Sequence, residues 1–133
     1  MFNINATVTK AQAKNMNVIV LAYIGDAVYS LYTREKLTFY NDLKVAEVHK
    51  LVNTQVRASA QAEFADRLLP LLTEEESDIY RRARNAKKGT KAKSATVTEY
   101  NKSTGFEALL GYLYITGERE RLNYLLNLGE TEQ

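Results

Sequence analysis

The chain has no cysteine, no tryptophan, one proline and one histidine in its 133 residues. Without cysteine there is no disulfide framework, no thiolate metal site and no thiol nucleophile. The single histidine, His49, excludes a multi-histidine metal cluster and reads as a surface or packing residue. No stretch approaches the ~18 uninterrupted apolar residues of a membrane span. The opening residues, MFNINATVTKAQAKN, lack the basic-then-apolar order of a secretion signal. These absences lead to the expectation of a cytoplasmic protein without a membrane partner.

What is present suits one packed domain. Apolar residues make up 45% of the chain and charged residues 26%, a balance that excludes disordered, collagen-like and fibrous classes. At this length the chain buries enough surface for a core without staples. The net charge is only +2, but it is unevenly spread. Residues 81–93 hold seven of the 18 basic side chains (Arg81, Arg82, Arg84, Lys87, Lys88, Lys91, Lys93) and no acid, leaving 11 basic against 16 acidic residues elsewhere. An acidic body carries one basic segment.

Helical spacing dominates the pattern, and no alternating stretch between turn signals competes with it. From Asn17 to about Lys36, the residues Leu21, Ile24, Val28, Leu31 and Tyr32 fall on one stripe. Asn41 or Asp42 is placed to cap a helix carrying Val45, Val48, Val52 and Val56. A further helix runs from Ala58 towards a boundary at Pro70. Thr73 with Glu76, and Thr96 with Glu99, have the form of capping boxes. The first opens a helix towards Ala86, the second one reaching about Ile115, and residues 87–95 between them read as a loop. Gly117 suits a stop, and a last helix carries Leu122, Leu125 and Leu126. The expectation is all-α, about six helices, with residues 1–16 a lead-in, 17–129 the domain and 130–133 a tail.

Two acids stand out. Asp26, in AYIGDAV, follows Gly25 but sits well off the apolar stripe of its helix; Glu107, in FEALLGYL, borders an apolar stripe one turn before Gly111. A glycine inside a helix costs roughly 1 kcal/mol relative to alanine, so each marks a point where another backbone comes close. If the two helices cross there, the carboxylates converge. Converging carboxylates, in a chain with no cysteine and one histidine, suit Mg²⁺ or Mn²⁺, ions that promote phosphoryl-transfer chemistry. The plainer reading makes both ordinary surface acids. The nine tyrosines read mainly as packing residues, with Tyr23 and Tyr29, near Asp26, the exceptions.

The pair AYIGDAV and FEALLGYL resembles the two signature segments of the ribonuclease III endonuclease domain, over roughly residues 17–128. Arg84-Asn85-Ala86-Lys87 with Gly89-Thr90 resembles the small branch of that family, the Mini-ribonucleases III, which consist of the nuclease domain without a double-stranded-RNA-binding domain. The resemblance implies that Asp26 and Glu107 are both catalytic and metal-binding. It implies Mg²⁺, with Mn²⁺ as a substitute, and a homodimer that cuts both strands of an RNA duplex, leaving 5′-phosphates and short 3′ overhangs. The implied substrate is the precursor of large-subunit (23S) ribosomal RNA. Larger members of the family place acids where this chain has Ile19, Ala22 and Thr104.

Since A-form RNA is read largely by shape, through phosphates and 2′-hydroxyls, the basic segment is the natural contact. Arg84, Asn85, Lys87, Lys88, Lys91 and Lys93 are the candidate RNA-binding residues. The competing reading of this segment is a solvated helix end that complements its own dipole. For the whole chain, the alternative is a non-catalytic RNA-binding or ribosome-assembly protein that keeps the nuclease fold. A DNA-binding regulator would want a basic recognition helix, whereas these residues lie mostly in a loop, so no DNA partner is expected.

Overall fold

Threonine boxes start three helices. Thr9 with Gln12 opens α1 (Lys10–Lys14), Thr73 with Glu76 opens α5 (Glu74–Asn85), and Thr96 with Glu99 opens α6 (Val97–Ile115). In each, the threonine hydroxyl accepts from the third helical amide, and that residue's side chain accepts from the threonine N–H. Asn17 opens α2 (Val18–Phe39) by accepting from the Ile19 amide at 2.8 Å. The remaining helices are α3 (Val45–Val56), α4 (Ala58–Leu68) and α7 (Arg119–Thr131), and a 3-10 turn at Leu69–Leu71 takes up Pro70. The computed structural model describes residues 2–89 and 95–131, and among them every element of regular secondary structure is a helix.

Helix α6 is the centre of the core. Its residues from Ser103 to Leu113 are buried apart from the half-buried Glu107, and it packs against α2, α4 and α5. The Phe106 ring stands edge-on to Tyr29 at 5.0 Å and lies 5.1 Å from Phe64, joining α2, α4 and α6. Where α2 meets α6 there is no room for side chains. A Cβ on Gly25 would lie 1.6 Å from the Glu107 carbonyl oxygen, and one on Gly111 would lie 2.0 Å from that of Leu21. The two glycines let the backbones touch.

Four sequence expectations change. The lead-in contains α1, one helical turn too short for periodicity to reveal. Neither Asn41 nor Asp42 caps α3: the Asn41 Nδ2 donates to the Leu37 carbonyl and trails α2, while the N-cap of α3 is Lys44, which makes no side-chain cap. The buried face of α2 is Leu21, Ala22, Gly25, Tyr29 and Thr33, rotated from the expected stripe, and Leu31 is 58% exposed. Tyr29 therefore belongs to the core. Finally, α7 passes Gly129 and ends at Thr131.

Candidate active site

The glycine crossing sets Asp26 and Glu107 side by side. Asp26 is exposed on α2, and Glu107, on α6, is hydrogen-bonded to it. Burial first, then the charge of Asp26 and the bond to it, push the Glu107 carboxyl from the usual 4.5 up to about 8. Gln61 of α4 counters in part, its Nε2 donating to Glu107 Oε2 at 3.4 Å. The donor set is two carboxyl groups in hydrogen-bond contact, and all its atoms are hard oxygens. That chemistry fits Mg²⁺. Among the described residues no third acid or histidine completes a three-ligand cluster.

Both acids line an open cleft of about 410 Å³. Its walls include Ile19, Ala22 and Thr104, so the three positions where the larger ribonucleases III carry acids face the same space. Here one is aliphatic, one is a methyl group, and the third donates its hydroxyl to the Tyr100 carbonyl at 2.9 Å. Tyr23 and Tyr100 also line the cleft, Tyr23 being 80% exposed. A larger recess of about 850 Å³, between α1, α5 and the α6–α7 junction, has most of its charges paired within it: Lys10 with Glu118, Lys14 with Glu75, Arg81 with Asp78, and Arg121 with Glu76.

Lys87, Lys88 and Gly89 border the cleft from the end of α5. Lys87 is exposed. Lys88 is half-buried and donates to the carbonyls of Arg84 at 3.0 Å and Ala86 at 2.8 Å, closing the carbonyl end of α5; burial lowers its pKa. Arg84 lies over the Tyr80 ring at 5.8 Å and donates to Asn85 Oδ1 at 3.1 Å, and neither residue is part of the cleft lining. Lys91 and Lys93 lie outside the described residues, as does Thr90. Two neighbours of the acids were not evident from the sequence: Tyr100, and Gln61, which occupies a buried register of α4 otherwise filled by Ala62, Phe64, Ala65 and Leu68. A polar residue on that register is the signal that could have marked Gln61.

Comparison with known proteins identifies the family and the fold. Residues 19–118 match the Ribonuclease III domain family model. Over 120 residues the chain is 50% identical to a Mini-ribonuclease 3 of Thermoanaerobacter sp., covering 90% of this chain and 84% of that protein. It is 43% identical over 127 residues to a Mini-ribonuclease 3 of Enterococcus faecalis, covering 90% of this chain and 96% of that one. A crystal structure of a Fusobacterium nucleatum protein superposes with a TM-score of 0.80 at 29% identity, covering 86% of this chain and 93% of the other.

Proposed function

The chain belongs to the ribonuclease III family, in its Mini-ribonuclease 3 branch, and on that premise we propose that it is an endoribonuclease that hydrolyses double-stranded RNA with Mg²⁺ at Asp26 and Glu107. The observation that carries this reading is the contact between the two carboxyls at the α2–α6 crossing, in a cleft edged by Lys87 and Lys88. Asp26 and Glu107 would hold the cation through carboxylate oxygens. Mg²⁺ bound there supplies Lewis acidity towards a phosphoryl oxygen and acidifies water. Asp26, the more exposed acid, faces the substrate side and orients the hydrolytic water. To hold the cation, Glu107 would release its proton to solvent and become an anion. The Lys87 ammonium attracts the phosphate backbone whatever the base sequence.

The duplex is cut by a homodimer, one site per strand, to give 5′-phosphate ends and short 3′ overhangs. The second copy is proposed to cover the apolar face that α2 leaves open: Val20, Tyr23, Ala27 and Leu31, at three- and four-residue steps, are all exposed. The substrate we infer is the 23S ribosomal RNA precursor, and the compartment the cytoplasm. No helix among the described residues is long and apolar enough to cross a membrane.

The non-catalytic alternative is favoured by one observation, the uncharged Ala22 and Thr104 in the cleft. Incubating the purified chain with a long RNA duplex, with and without Mg²⁺, separates the two. Cleavage that requires Mg²⁺ and leaves 5′-phosphates supports the nuclease. Binding without cleavage at any Mg²⁺ concentration supports the alternative.

A further inference from the structure

Gln61 is a buried amide that packing alone does not explain. It is 1% exposed and sits on the apolar register of α4. Its Nε2 donates to the Val56 carbonyl at 2.7 Å, at the junction where α3 ends and Arg57 turns the chain into α4. The same nitrogen reaches Glu107 Oε2 at 3.4 Å, while Oε1 is buried with no partner. A leucine or methionine would fill similar volume and leave no orphaned oxygen. Closing the carbonyl end of α3 accounts for the Val56 bond, but not for the contact with Glu107. Since only the NH₂ end of the amide can donate to a carbonyl, the short bond to Val56 fixes which way the amide faces. That leaves the second N–H for the carboxylate.

We propose that Gln61 is a positioning residue of the site: its amide, anchored on the Val56 carbonyl, holds the Glu107 carboxylate in the orientation that meets Asp26. This rests on the reading of Asp26 and Glu107 as a divalent-cation site. Outer partners of a metal-binding side chain typically change metal affinity or activity about 10- to 100-fold when removed. In this chain the ligand supported is a carboxylate, and the support comes from a third helix, α4, which carries neither acid.

The test is Mn²⁺ binding by titration calorimetry on the parent chain, Gln61→Met and Glu107→Gln, with circular-dichroism melts on the same samples. In the folded Gln61→Met chain Mn²⁺ affinity falls about 10- to 100-fold. The metal concentration for half-maximal cleavage rises in step, the rate at saturating metal recovers, and metal-free duplex binding is unchanged. Parent-like affinity in Gln61→Met, with loss in Glu107→Gln, overturns the proposal and leaves the carboxylate site standing. Parent-like affinity in Glu107→Gln removes the site, and the proposal with it. Should Gln61→Met not fold, ¹⁵N-glutamine NMR of the parent decides. The exchange-protected side-chain NH₂ of Gln61 shifts as Mg²⁺ is added, and a resonance that stays fixed through saturation overturns the proposal.

Discussion

A half-buried carboxyl beside a second one can lower its energy by keeping a proton or by taking a cation, and Glu107 is in that position. Its carboxyl titrates at about 8 instead of the usual 4.5. Between those values the native state holds a proton that the unfolded chain has released, so this group's contribution to stability is present at low pH and declines as pH rises to about 8. The metal-free protein should therefore lose melting temperature from pH 5 to pH 8 through this group, and Glu107→Gln should flatten that part of the slope in calorimetric scans. Mg²⁺ should counteract the loss most strongly near pH 8, where the carboxylate is free to bind it. In cleavage assays Glu107→Gln should keep residual activity that rises with metal concentration, and a flat response would remove Glu107 from the metal site. At this scale the sequence was partly legible. Each acid beside a glycine on an apolar helix is a local pattern, open to reading. Gln61 was not, because a glutamine in an alanine-rich helix looks like a surface residue until the neighbouring helices bury it.

The elements place those residues, and the α2–α6 crossing is the joint on which the placement depends. With a Cβ 1.6 Å from the Glu107 carbonyl oxygen, Gly25→Ala must drive the helices apart. We expect it to cost about 3 kcal/mol or more in denaturant unfolding, at the upper end of overpacking effects, and to separate Asp26 from Glu107 in any chain that still folds. Gly89→Ala is the control: among the described residues nothing lies within 4 Å of its Cβ, so stability should stay within about 0.5 kcal/mol. Equal effects at the two positions would refute the close crossing. Both capping boxes flanking the basic segment were readable because a box is decided within four residues. The face of α2 was not. That helix is apolar nearly all round, so a helical wheel cannot tell the side against α6 from the exposed side carrying Val20, Tyr23 and Leu31.

Over the whole molecule, the account needs a duplex-sized anion held by a chain of net charge +2, which assigns the attraction to the basic segment. Replacing Lys87, Lys88, Lys91 and Lys93 with alanine should weaken binding across duplex sequences and flatten the dependence of log affinity on log salt by about 2–4 units. An unaltered salt slope would make the segment a solvated connection. Leu31→Asp, on the open face of α2, should shift the protein from dimer to monomer in sedimentation, and a parent-like dimer would move the interface elsewhere. Overall charge asymmetry was visible in the sequence, whereas the gathering of Lys87 and three uncharged positions around one cleft needed the fold. The most direct measurement is cleavage of a long RNA duplex by Asp26→Asn beside the parent, with duplex binding determined on the same samples. The account predicts that the parent cuts only with Mg²⁺, and that Asp26→Asn binds the duplex equally well and leaves it intact. An Asp26→Asn chain that cuts at a rate comparable to the parent would contradict it.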